Sequence, residues 1–258
     1  MSILFAEKSW PEIDTYVKRK GLIILPIGQV EEHGPHLPLN TDIVIAEGVS
    51  VAVAEAVKDR HPALVMPGIW SGYSLKKMNR WPGVMSVRSE VLTEFIVDIM
   101  SSLVDMGFTK ILTINAHGMN PEIIKLAARR ISDRSDVHVA TTSWWSLAAG
   151  TAKRIRKSEI GGELHAGEFE TSLMLFLTDL VDMSKATNTD FMRYRSDFYA
   201  PDMFASAPGG TAFSTWYVQE SKTGVYGDPT EASRETGEAL MKGTVEMYVR
   251  LIDDYMRM

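Results

Sequence analysis

Short apolar runs alternate with longer stretches of helical periodicity through the first 145 residues. Residues 22–27, 63–66, 110–115 and 137–142, the last ending at Ser143-Trp144-Trp145, are mostly apolar and rich in β-branched side chains, as expected of buried strands. Between them the spacing predicts a helix entered through Pro11 over 10–17, a second over 43–58 and an amphipathic third over 90–106. A fourth helix runs from Pro121 to about residue 134, with Asn120 suited to its N-cap and Glu122 to the dipole of its first turn. Strand–helix alternation of this kind implies an α/β fold with a mostly parallel sheet and right-handed crossovers.

The second half of the chain is less regular. Residues 163–172 read as the opening of an apolar helix that continues over 173–177, which would put His165 and Glu168 on one face. Residues 185–227 form an irregular excursion rich in Tyr, Phe, Gly, Pro and Ser, suited to a lid or a subunit contact. A last helix spans about 231–255, capped by Tyr226-Gly227-Asp228-Pro229-Thr230. No repeat, low-complexity tract or shift in composition divides the chain, so one domain over 1–258 is expected.

Where the apolar runs stop, ligand-type side chains begin. Residues 28–42 carry Glu31, Glu32, His33, His36 and Asp42 in a loop stiffened by Gly34, Pro35 and Pro38. The strand over 110–115 leads into Ala116-His117-Gly118-Met119-Asn120. Four of the six histidines (His33, His36, His117 and His165) fall in glycine-containing turns, a concentration that packing alone does not require. Any one of these residues could be solvated, and Asp42 could simply cap the helix that follows it. Together, though, they gather at the carboxyl ends of strands, where open α/β sheets bind ligands. Carboxylate with imidazole suits Zn, Mn or Fe. Glu31, His33, Asp42, His117 and Glu168 would hold two divalent ions if Asp42 bridges them.

Composition narrows the classes. A net charge of −6 argues against nonspecific nucleic-acid binding, which needs a basic face. With no cysteine, neither disulfides nor thiolate ligands are available. The N-terminal apolar run is too short for a signal peptide, and no stretch approaches the ~20 apolar residues of a membrane span. A soluble, cytoplasmic protein acting on a small molecule is expected.

Three motifs, Glu31-Glu32-His33-Gly34 with Leu37-Pro38-Leu39-Asn40-Thr41-Asp42, Asn115-Ala116-His117-Gly118-Met119-Asn120, and His165-Ala166-Gly167-Glu168-Phe169-Glu170-Thr171-Ser172, resemble the creatininase family in order and spacing. The late Gly224-Val225-Tyr226-Gly227-Asp228-Pro229 is similar to its closing motif. The resemblance implies a three-layer α/β/α fold around a mostly parallel sheet, often assembled as a hexamer, with a binuclear metal site. One ion would take Glu31, Asp42 and His117; the other His33, the shared Asp42 and a further carboxylate. In creatininase proper that carboxylate lies two positions after the histidine, where this chain has Met119. Methionine cannot replace it on a hard metal. Glu168 is the expected substitute, with Glu122 or Glu170 next in line. A tryptophan that covers creatinine in that enzyme falls near Gly161, while Trp145 keeps the position of another, and the usual histidine before the Phe-Pro-Gly segment is missing from Asn79-Arg80-Trp81-Pro82-Gly83. Creatinine is therefore not the expected substrate.

The expected chemistry is hydrolysis of a cyclic amide or formamide by water activated on two metals. His165 is the candidate proton shuttle, and Glu32 could orient a ligand imidazole. Trp145, Trp81 and Tyr73 would suit a flat ring, Lys76 and Arg80 a polar or anionic group, and Gly118, next to His117, is a further candidate for substrate binding. A C–C hydrolase opening a ring derived from an inositol-type polyol shares the site but not the bond. A metal-stabilised oligomeric binding or sensor protein is the non-enzyme reading.

Overall fold

The computed structural model describes residues 2–190, 196–205 and 221–258. Strand β1 (Leu22–Ile27) is buried at every position because it lies inside a four-stranded parallel sheet. On one side it pairs with β2 (Ala63–Val65); on the other lies β3 (Lys110–Asn115), with β4 (His138–Ser143) beyond. Pro26 removes no ladder bond. Its carbonyl accepts from Ile69 on the β2 side, after β2 has ended, so the missing N–H faces a gap.

Alternate β-strand residues supply two cores. Leu22, Ile24, Leu112 and Ile114 face α2 (Thr41–Val57), α5 (Trp144–Ile155), α6 (Glu168–Leu177) and α7 (Arg234–Tyr255). Ile23, Leu25, Ile27 and Ile111 face α1 (Trp10–Lys18), α3 (Ser89–Asp105) and α4 (Pro121–Ser132). The result is the expected three-layer α/β/α arrangement.

Two expectations fail in the second half. Helix α5 begins immediately after β4, where Trp144 and Trp145 read as the strand's end. Its buried positions, Trp144, Ala148, Thr151 and Ala152, follow helical spacing. Residues 163–165 are strand β5 (Glu163–His165), paired antiparallel with β6 (Tyr226–Gly227), and the helix starts only at Glu168. Ala166 between them has φ 54, a left-handed conformation that breaks the helical phase. His165 and Glu168 therefore share no helical face. Of the excursion expected over 185–227 as a lid or subunit contact, residues 191–195 and 206–220 lie outside those described.

Helices α6 and α7 cross at Gly237, where a Cβ would lie 1.9 Å from the Ser172 carbonyl oxygen. Gly237→Ala is expected to cost about 1–3 kcal/mol through overpacking. A thermal melt superimposable on wild type would show that the two helices are not in that contact.

Candidate metal centre

The segments that lead from β1 into α2, from β3 into α4 and from β5 into α6 each deliver part of one buried cluster. The chain leaves β1 through Gly28, which lies against the start of α2; a Cβ there would be 2.6 Å from Ile43 N. The first turn of α2 therefore meets the loop carrying Glu31 and His33, and Asp42 points into it. His33 Nε2 is 3.0 Å from Asp42 Oδ1. After β3, Asn115 holds the next turn in place: its Oδ1 accepts from His117 N at 3.1 Å and its Nδ2 donates to His117 O at 2.8 Å. His117 Nδ1 then lies 3.1 Å from both Glu31 Oε1 and Asp42 Oδ2. From β5, His165 stacks on His33 with ring centroids 4.5 Å apart, and its Nδ1 is 3.9 Å from Glu31 Oε1.

The three imidazoles are oriented alike. His33 Nδ1 faces Glu31 O at 3.2 Å, His117 Nε2 faces Tyr73 O at 2.8 Å, and His165 Nε2 faces Glu32 O at 2.9 Å. A carbonyl only accepts, so in each ring the nitrogen beside it carries the proton. The other nitrogen is left for the cluster, the arrangement that metal-binding histidines use.

Charge supports the same conclusion. Among the described residues, the ion pairs of Glu31, Glu32 and Asp42 are all with these imidazoles. Buried carboxylates need such partners or a cation. Burial would raise the Asp42 carboxyl, but the His33 and His117 rings outweigh it and hold it well below the usual range. Burial would lower His117; the Glu31 charge and the Asp42 contact instead push it well above its ordinary value. No hydrogen bond satisfies Asp42 Oδ2 or Glu32 Oε1, although both are buried. Ligand atoms of Glu31, Asp42 and His117 lie within 4.8 Å of one another, as do those of His33, Asp42 and Glu170, and those of Glu31, His33 and His165. Donor chemistry and orphaned oxygens both fit divalent metal.

Comparison with known proteins gives the same frame. The family model for creatininase, creatinine amidohydrolase, matches residues 6–252. This chain belongs to the creatininase family. It is similar to creatinine amidohydrolase of Pseudomonas putida, 30% identical over 95% of this chain and 94% of that protein. A mycofactocin precursor peptide peptidase of Mycobacterium ulcerans is 29% identical over 87% of this chain and 81% of its own length. For 3-dehydro-scyllo-inosose hydrolase of Thermotoga maritima the values are 24%, 98% and 84%. A solved glutamate-to-glutamine mutant of creatininase in a Zn-Zn form superposes with a TM-score of 0.82 at 27% identity, covering 98% of both chains. A manganese creatininase gives 0.80 at 27% identity, again over 98% of each.

Within this creatininase-family chain, one expected residue lies elsewhere. The Glu168 carboxylate accepts from the backbone N–H groups of Lys157, at 3.0 and 3.2 Å, and of Ser158, at 2.8 Å. It anchors the segment that follows α5. Glu170 is the carboxylate beside His33 and Asp42, and its Oε2 accepts from Ala166 N at 2.6 Å. The left-handed Ala166 turns the helix start so that the third helical residue, rather than the first, meets the cluster. Glu163, which the sequence did not single out, caps α6 by accepting from Phe169 N at 2.7 Å. Burial and the nearby Glu170 push its carboxyl well above the usual range. Asn120 occupies the N-cap position of α4 without capping it: its Oδ1 accepts from Tyr73 N and its Nδ2 donates to Gly28 O. His36 sits beside the cluster but outside its metal groups, bonding Thr171 Oγ1 at 2.9 Å.

The candidate substrate residues divide differently. Tyr73 contributes its carbonyl to His117, while its ring packs against the α3/α4 core. Lys76 and Arg80 are exposed on a 3-10 turn, and the Arg80 guanidinium lies 4.0 Å over the Trp81 ring. Trp145 is half-buried, edge-on to Trp144 at 6.1 Å, and Gly118 directly follows His117.

Proposed function

We propose that this chain is a metal-dependent hydrolase that opens a cyclic amide or cleaves a formamide, as one domain with two divalent ions (Zn, Mn or Fe). The supporting observation is that three imidazoles, each fixed by a backbone carbonyl, turn their free nitrogens toward carboxylates grouped around Asp42. Glu31, Asp42 and His117 would hold the first ion, and His33, Asp42 and Glu170 the second. When bound, such a pair lowers the pKa of water toward neutrality and polarises a carbonyl.

The chain's own residues then handle the proton. His165 keeps its Nε2 proton on Glu32 O and takes up and releases a second proton at Nδ1, the nitrogen facing the cluster. The Glu32 carboxylate, 3.4 Å from Nε2, steadies the imidazolium so formed. Trp145 and Trp81 would cover the substrate ring, and Tyr73 and Gly118 would border it through the turns that carry them. Lys76 and Arg80 would meet a polar substituent. Creatinine is not the substrate in this reading, because Met119 leaves the second ion to Glu170. The covering tryptophan of creatininase also falls near Gly161, whose φ of 100 disfavours any side chain. The same reading includes a homo-oligomer, a hexamer as in the family, working in the cytoplasm. Among the described residues, no helix is long and apolar enough to cross a membrane.

A C–C ring-opening reaction is the second reading, favoured by the likeness to the Thermotoga hydrolase along 98% of this chain. Turnover of a panel containing cyclic amides, formamides and a cyclic polyol-derived diketone separates the two. His117→Ala is expected to lose the first ion and at least about 100-fold of whatever hydrolysis the panel reveals. Retention of both ions and full turnover would refute the assignment. Two bound ions with no turnover of any candidate would favour a metal-stabilised binding protein.

A further inference from the structure

The loop between β2 and α3 holds the first metal position through three consecutive residues. Gly72 N donates to Gln29 Oε1 at 2.5 Å. An amide N–H can only donate, so this contact fixes which end of the Gln29 amide is oxygen. Gln29 Nε2 must then face the other way, and it donates to Ser74 Oγ at 2.8 Å. The single proton of that hydroxyl is left for Glu31 Oε2, 2.8 Å away. Every donor in the chain Gly72, Gln29, Ser74, Glu31 thus has one direction. Between Gly72 and Ser74, Tyr73 receives His117 Nε2 on its carbonyl and gives its own N–H to Asn120 Oδ1. Gln29, Ser74 and Glu31 are all buried, so water does not offer the carboxylate an alternative donor.

We propose that Ser74, aimed by Gln29, is a positioning residue that engages one oxygen of Glu31 and presents the other, Oε1, to His117 and the first metal ion. The proposal rests on the metal-centre reading above. It explains why a small hydroxyl is buried 43 residues from the carboxylate it serves, on a loop whose next turn carries Lys76 and Arg80.

The test is titration of chelator-stripped protein with Zn²⁺ and with Mn²⁺ against a competing indicator, for wild type, Ser74→Ala, Ser74→Thr and Gln29→Met. Ser74→Ala is expected to bind the first ion about 10–100-fold more weakly, with the second much less affected. Ser74→Thr keeps the hydroxyl and is expected to restore affinity. Gln29→Met frees the hydroxyl to rotate and should weaken the same ion by a smaller factor, which supplies the answer should Ser74→Ala not fold. A merely structural role would instead lower the melting temperature of the stripped protein with both affinities intact, and that result overturns the proposal. Equal weakening of both ions overturns it as well. Wild type that takes up no divalent ion removes the metal centre itself; wild-type uptake with unchanged Ser74→Ala affinity removes only the role of Ser74.

Discussion

Glu170→Gln is expected to hold about one divalent ion per chain where wild type holds two, and to lose about 10³-fold or more in turnover. The expectation follows from position: Glu170 stands with His33 and Asp42 in one of the three buried ligand groups, and Met119 offers no carboxylate in its place. A glutamine keeps the volume and the bond from Ala166 N while removing the charge that a hard cation requires. Glu168→Gln is the matched control. It should keep both ions, because its carboxylate is spent on the N–H groups of Lys157 and Ser158. Weakening charge-assisted bonds at this fully buried site should cost about 1.5–3 kcal/mol of stability. Metal analysis with thermal melts of the two variants decides the matter. If Glu168→Gln drops to one ion while Glu170→Gln keeps two, the second site has been assigned to the wrong carboxylate.

The exchange of Glu168 for Glu170 shows where the sequence is legible and where it is not. β1 is readable to the residue because a strand buried on both faces is continuously apolar, and β3 because Ile111, Leu112 and Ile114 keep a short apolar run around Thr113. Glu31, Asp42 and His117 are readable because Glu31 and His117 stand in the segments that follow those strands and Asp42 in the first turn of α2, where ligand-type side chains interrupt the apolar pattern. The phase of α6 is not. It depends on a left-handed alanine at 166, a conformation that side chains rarely adopt and that composition does not announce. Here it is held by the bond from Ala166 N to Glu170, so the ligand and the turn that aims it support one another. Helix α5 was missed for a simpler reason: Trp144 and Trp145 extend the apolar run of β4, and the helical spacing shows only when Ala148, Thr151 and Ala152 are counted with Trp144. Gln29 and Ser74 carry no local signal at all. Their importance lies in a bond spanning 45 residues, which no local pattern announces.

His165→Ala is expected to keep both ions and to lose about 10²–10⁴-fold in turnover, the usual contribution of a positioned proton carrier. The alternative group of Glu31, His33 and His165 makes this a real choice, since in it His165 would be a ligand. The pair of groups sharing Asp42 uses each of its other ligands once and leaves Nδ1 of His165 free. Loss of an ion from His165→Ala would therefore turn the shuttle into a ligand. A second readout comes from the metal-free chain. Burial lowers the His165 imidazole, but the Glu32 carboxylate 3.4 Å away, with Glu31 and Glu170 behind it, pushes it up to about 10. A folded pKa above the ordinary 6.5 stabilises the chain fully below about pH 6.5 and loses that contribution as pH rises toward 10. Chelated wild type should thus melt at falling temperature across that window, and chelated His165→Ala should fall less steeply. Parallel slopes would mean that His165 is not held as an imidazolium by Glu32. The metal-loaded chain should behave in the opposite sense on acidification, because protons compete with the ions for the imidazoles.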